Sequence, residues 1–413
     1  MAGFRSYTSN EPRTFADKII GWGVNAKLVI RIPEPKMPRV SRDINSQKER
    51  WAIGALAAND ERLARRLEAP LRSQLMFFGS IRGWVAGRAL LRKRQDGSTE
   101  VDVTPWDPVH TYWGMGADGL AWACHVSYMS AADIRAVYPH ADLPDASITQ
   151  DAGAVDDSDG IAVYDYYDAT HNQVVMKDVT LKPATRHGSR RVPVFIIPAG
   201  ATPFLAPYQQ GEQVSLREPG GLQGESVFAA ARGLYPAYNQ VLSARQELMM
   251  RARDSSYTLT SRDGSKTLDA NPFSEGTNEV PLAEGEKLEP LTLIEMTRDA
   301  DVFSATILGE IQRAQLPHTI FGNIQFQLSG FAINTLRQGI DTQIQPRLNV
   351  VQAALNQALR LLADQYATGA FEPMTVRGRD NSNEPFDDVV DPQIIRQGGE
   401  FEVQLIGILP QDD

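Results

Sequence analysis

GNIQFQLSGFAINTLRQGIDTQIQPRLNVVQAALNQALRLLADQYA, residues Gly322–Ala367, decides how the rest of the chain is read. It opens on a glycine-bounded, uncharged loop rich in amides (Asn323, Ile324, Gln325, Phe326, Gln327) and then turns helical. Ile333, Leu336, Ile340, Ile344, Leu348, Val351, Leu355, Leu359 and Leu362 recur at three and four, which predicts one helix over Phe331–Ala367. Ordinary globular helices run about 8–20 residues, so this is a long one. Gly369 is a stop signal. Pro346 lacks an N–H and should bend the helix midway.

Upstream, Glu225–Arg253 reads as another helix, with Phe228, Ala231, Tyr235, Tyr238, Leu242 and Met249 along one stripe. Pro236 inside it predicts a kink about one turn in. Tyr257–Leu293 is a small β-like unit. It has Tyr257–Thr260, an Asp263-Gly264 turn, and extended pieces at Glu279–Leu282 and Lys287–Leu293. It is too short for its own core and needs neighbours. Thr297, with Asp299 and Asp301 in the first turn, starts a helix that runs to Pro317.

Pro203–Gly224, rich in proline and glycine, separates this half from the first. Before it, an amphipathic helix spans Ser46–Glu68, and a second follows Pro70, carrying Leu71, Leu75, Phe78, Ile81 and Val85. Asp96-Gly97 marks a hairpin. Strand-like runs follow at Thr111–Trp113, Leu120–Tyr128, Ile161–Tyr167 and Val174–Leu181. Ser130 caps a short helix to Val137, with Asp133 at the capping-box position. Asp142–Gly160 is acidic and reads as an exposed loop, without the offsets of a calcium loop. After the long helix, Phe401–Leu409 is strand-like and nothing looks helical. The fold class expected is α+β.

Composition narrows function. The 413 residues are 42% hydrophobic and 22% charged, enough for two or three domains with a real core. The net charge of −10 opposes a protein that grips a nucleic-acid backbone by counterion release. It does not oppose one that DNA slides past. No apolar run approaches the roughly 20 residues of a membrane span, and Met1–Phe15 has no apolar signal core, so synthesis in a cytoplasm is expected. Cys124, the single cysteine, allows no disulfide within the chain. It lies on a strand beside His125, which points to the other face, so the pair is not poised for catalysis.

No phosphate-binding glycine loop, zinc-protease or serine-hydrolase motif is present, and the histidines are scattered singly. Asp165, Asp168 and His171 come nearest to a catalytic set and read as a solvent-facing strand and turn. The expectation is a chain that is no enzyme and holds neither cofactor nor metal.

The order of helix, small β-rich excursion, second helix, amide loop and long proline-containing helix resembles the portal (connector) proteins of tailed double-stranded DNA bacteriophages. Shorter features agree: Gly79-Ser80-Ile81-Arg82-Gly83, Pro105-Trp106-Asp107-Pro108 and Gly224-Glu225-Ser226. Leu316-Pro317-His318-Thr319-Ile320-Phe321-Gly322 matches the family more loosely. The resemblance implies a wing over residues 1–224, a first stem helix at 225–253, a clip at 254–297 and a second stem helix at 298–315. It further implies a tunnel loop at 322–330, a long kinked wing helix at 331–368 and a last wing segment at 369–413, with no helical crown.

It also implies a homo-oligomeric ring, usually of twelve copies, at one capsid vertex of the virion. Viral double-stranded DNA is packaged and ejected through such a ring, and the terminase large subunit, the major capsid protein and a head-tail adaptor bind to it. Asn323, Ile324, Gln325, Phe326 and Gln327 would face the DNA. Glu275, Glu279, Glu284, Glu286 and Glu289 would form an acidic clip surface toward the lumen mouth or a partner. The alternative is another virion structural component, a minor capsid or tail protein, without a DNA channel.

Overall fold

Two strand-length runs on either side of the turn pair Asp96-Gly97 fold into a hairpin of β2 (Trp84–Lys93) and β3 (Thr99–Trp106). In the computed structural model that hairpin is the centre of the larger of two compact units, Ala16–Val227 with Leu328–Asp413. The structure describes residues 6–33, 40–141, 160–177, 179–200, 224–253, 257–260, 282, 284–290, 298–315, 330–397 and 399–406. The chain is mixed α and β, with antiparallel sheets and no barrel among the described residues.

In the larger unit, β9 (Val194–Pro198) joins the hairpin on its other side, giving the order β3-β2-β9. Both faces of β2 are buried. One faces a five-stranded meander formed by β4 (Thr111–Gly116), β5 (Gly119–Met129), β6 (Ile161–Asp168), β7 (His171–Met176) and β8 (Val179–Arg186). Ala86, Leu90, Trp106, Val192 and Val194 pack there against Ala123 and Tyr167. The helix α4 (Ala131–Val137) closes the rest of that meander face, with Ile134 on Val163, Val174, Met176 and Leu181. Ser130 Oγ accepts the Asp133 N–H at 3.1 Å, the cap expected from sequence.

The helices α2 (Val40–Arg65) and α3 (Leu71–Ile81) belong to this unit, with α1 (Glu11–Asn25) before them. β1 (Lys27–Arg31) pairs with β14 (Glu402–Ile406), and β12 (Met374–Arg379) with β13 (Pro385–Val390). The core runs through Trp51 of α2, stacked on Tyr366 at 5.5 Å and Phe401 at 6.1 Å. Gly54 lets α2 lie against β12: a Cβ there would fall 2.5 Å from Val376 Cβ. Gly54→Ala would gain about 1 kcal/mol of helix propensity. Overpacking costs about 1–3 kcal/mol. A net destabilisation is expected in thermal melts, against the usual sign of a helix Gly→Ala exchange.

The other unit comprises Met1–Phe15 with Phe228–Gln327. It holds α5 (Leu234–Arg253), β10 (Tyr257–Thr260), β11 (Lys287–Pro290) and α6 (Arg298–Ala314). The long helix α7 (Gly330–Tyr366) returns the chain to the larger unit, and α8 (Pro392–Gln397) precedes β14.

Several expectations are corrected. The helix predicted at Glu225–Arg253 begins only at Leu234, after a 3-10 turn at Ala229–Ala231. Pro236 therefore sits in the first turn, where a missing N–H costs nothing, and does not interrupt the helix interior. Pro346 does lie inside α7, which continues through it. Val85 belongs to β2, not to the second helix. Val174–Leu181 is two strands, split by a turn that holds Lys177 at φ +49°. The C-terminal segment contains α8, where no helix was expected.

Candidate functional site

The inserted unit is built on two helices that run antiparallel. Near one end Gln315 Nε2 donates to the Tyr235 hydroxyl; farther along, Arg245 pairs with Asp301 at 3.2 Å. Ile307 and Ile311 of α6 are buried, and so is Ser243 of α5. The N-terminal segment lies on α5: Tyr7 N–H donates to Ser243 Oγ at 2.8 Å and Ser9 N–H to Asn239 Oδ1 at 3.0 Å. Phe228 packs edge-on against both Phe15 and Tyr235. Tyr7, Leu242, Arg245, Gln246, Met249 and Met250 line a cavity of about 530 Å³. Val302 and Phe303 of α6 and Met249 of α5 are exposed.

Between the helices the chain forms the β10–β11 ladder, with Tyr257 opposite Pro290 and Thr258 opposite Glu289. Of the predicted acidic clip residues, Glu284 and Glu289 are exposed and Glu286 is half-buried. Glu275 and Glu279 lie outside the described residues, as do Asn323, Ile324, Gln325, Phe326 and Gln327.

The larger unit holds a charged cluster that the sequence reading missed. Asp102, 1% exposed, receives Arg62 at 2.9 Å, Arg88 at 3.2 Å and Arg92 at 2.6 Å. Arg88 also bonds Asp165 at 2.7 Å and the Tyr167 hydroxyl at 3.1 Å. Asn172 Nδ2 donates to Asp165, and Lys182 Nζ to Asn172 Oδ1. Burial by itself would raise the Asp102 carboxyl. Arg88, Arg92 and Arg62 outweigh it and bring the carboxyl down to about 2. The cluster ties α2, the central sheet and the meander together, and every member is spoken for by a neighbour of opposite or complementary character. Its chemistry is structural.

Asp165 is therefore not solvent-facing as expected. Asp168 is a turn residue: its Oδ1 accepts the Thr170 and His171 N–H groups, both at 2.7 Å. Burial, then Asp165, pushes the Cys124 thiol up to about 11. Among the described residues no group of three or more His, Cys, Asp and Glu is placed to hold a metal, and no helix is long and apolar enough to cross a membrane.

No protein-family model and no curated protein matches the chain. Among solved structures, a chain from the virion of a native gene transfer agent (GTA) particle is similar. That likeness covers 96% of this chain and 80% of that one, at a TM-score of 0.45 and 11% identity.

Proposed function

We propose that the chain is a portal protein of a tailed-phage type of particle. It forms a ring at one capsid vertex, serves as a conduit for double-stranded DNA, and docks terminase, major capsid protein and a head-tail adaptor without catalysing a reaction. One observation carries this reading. An antiparallel helix pair bracketing a small two-stranded sheet is inserted, as a compact unit, between the two halves of a larger α/β unit whose second half opens on a 37-residue helix.

Within the hairpin Arg245 is paired with Asp301 at 3.2 Å and Arg313 with Glu310 at 2.6 Å, so these cations carry carboxylate partners. The net charge of −10 suits a wall that DNA passes without lasting adhesion. The amides Asn323, Gln325 and Gln327 can bond phosphates transiently, and Glu284 and Glu289 offer acidic groups to a basic partner.

Negative-stain electron microscopy of the purified protein tests the architecture. Rings with a central channel, at about twelve times the chain mass of 45.6 kDa, are expected. Monomers or closed shells sink the reading. In particles, deleting Asn323–Leu328 should leave the ring intact and abolish DNA packaging or retention. A normal titre with normal DNA content would remove the amide loop from the mechanism.

A further inference from the structure

The five-stranded meander turns one face into the core and the other outward, with no helix or strand of the described residues packed on it. Val126 on that face is nonetheless buried, and the face breaks the pattern of a solvated sheet. Antiparallel sheets with one wet side alternate apolar-in with polar-out. Here the outward rungs can be read directly from the register. Tyr112, Cys124, Tyr166 and Gln173 form one; Val126, Tyr164 and Val175 a second; Gly114, Trp122 and Asp168 a third; Tyr128 and Ala162 a fourth. Asp168 is the one formal charge on these rungs. It lies on the end rung, and its carboxylate is already taken by the Thr170 and His171 N–H groups.

Tyr112 is 56% exposed, Tyr128 55% and Tyr164 40%. Trp122 and Tyr166 stack at 6.0 Å. Gly114 makes room for that indole, since a Cβ there would meet Trp122 Nε1 at 2.3 Å. The short turn after Asp107 leans on one corner, bringing His110 to 5.5 Å from Tyr128. A contiguous apolar and aromatic face of this kind marks a contact surface.

The chemistry of the face selects its occupant. The four rungs carry no lysine or arginine, and β8 adds Arg186 opposite His171 at the edge of the face, so a nucleic-acid backbone finds little counter-charge there despite the stacking rings. Tyr and Trp give large, stiff contact area at low entropic cost, the signature of protein interfaces. Two copies of a chain with net charge −10 repel through most of their surface, and this neutral face is where they can meet. The face also carries both projections, the rings of Tyr112, Tyr128 and Tyr164, and small positions, Cys124 and Ala162. Projections and gaps together let this face of one copy seat against a complementary patch of the next, the heterologous contact that closes a ring.

We infer that the outer face of the meander, centred on Tyr164, is covered by a second copy of the chain in the assembled protein. This builds on the ring reading but can fail independently of it.

Mass photometry and negative-stain microscopy of the wild type and of Tyr128→Asp/Tyr164→Asp test the inference. Circular dichroism and thermal melting verify that the variant is folded, and Tyr164→Phe serves as the conservative control. Self-association should weaken about thirtyfold or more in the double variant, the effect of removing central aromatic anchors. Circular dichroism and melting should be unchanged, and Tyr164→Phe should assemble normally. Rings in both wild type and double variant at equal concentrations overturn the inference and leave the ring reading standing. Non-ring assemblies dispersed by the double variant do the reverse. A wild type that stays monomeric at every concentration overturns both.

Discussion

Asp102→Ala should destabilise the larger unit by about 3–5 kcal/mol, because it leaves the buried Arg62 without its counter-charge and Arg88 with Asp165 alone. Arg62 is 8% exposed, and its guanidinium meets Asp102 at 2.9 Å; the Arg88 side chain is 16% exposed. The pairs were formed at a large desolvation cost, so removing one partner is far worse than never having built the cluster. In a unit of this size the fall in Tm is about 6–10 °C. Adding Arg62→Met to Asp102→Ala should recover part of the loss, since it removes one orphaned charge. Simple additivity of the two changes would show that the residues do not act as a cluster.

The pH dependence has a definite sign. Asp102 is held at about 2, below its ordinary value of 3.8, so its contribution is complete above about pH 4 and is lost as pH falls toward 2. That contribution is about 2 kcal/mol. Urea unfolding at pH 5, 3.5 and 2.5 should show a shallower acid loss in Asp102→Asn than in the wild type.

How much of this was legible beforehand differs by element. The long helix, the Asp96-Gly97 hairpin, the Ser130 cap and the order of helix, small sheet and helix all follow from local periodicity and turn chemistry. The structure bears these out with shifts of a few residues. The start of α5 was misread because its apolar stripe continues upstream of Pro236, while the proline and Gly233 decide where a helix can begin.

The Asp102 cluster was not legible. Arg88, Leu90 and Arg92 alternate with Ala89 and Leu91, and when both faces of a strand are covered, alternation no longer tells inside from outside. An isolated Asp between Val101 and Val103 was the one available signal. The aromatic meander face was present in the sequence as Tyr112, Trp122, Tyr128, Tyr164 and Tyr166. Only the register shows that these residues share one surface.

Edge protection of the central sheet carries the other large effect, and here too the decisive residues are polar and buried. On its outer side β3 is met by α2: Asn59 Oδ1 accepts the Val103 N–H at 2.8 Å, and Arg62 donates to the Val103 carbonyl at 3.1 Å. On the opposite side β9 pairs with β2 only as far as Arg88 opposite Val194, with the Ala89 N–H taken by the Pro193 carbonyl. Beyond that point a side chain of α7 takes over the strand's role. Gln365, 2% exposed, accepts the Leu91 N–H at 3.0 Å and donates to the Ala89 carbonyl at 2.9 Å. An amide side chain reproduces the donor and acceptor of a neighbouring strand, and both partner residues are buried.

Gln365→Ala orphans one buried N–H and one buried C=O, each worth about 1–3 kcal/mol, so a loss of about 3–4 kcal/mol is expected in denaturant unfolding. Gln365→Glu separates the two bonds. The carboxylate can still accept from Leu91 but faces the Ala89 carbonyl with no proton to give. Burial raises its pKa above the ordinary carboxylate value. Its penalty should therefore shrink as pH falls through the raised pKa, because the protonated acid can donate again. A Gln365→Glu protein that loses stability relative to the wild type on acidification would show that the Ala89 carbonyl does not need this donor.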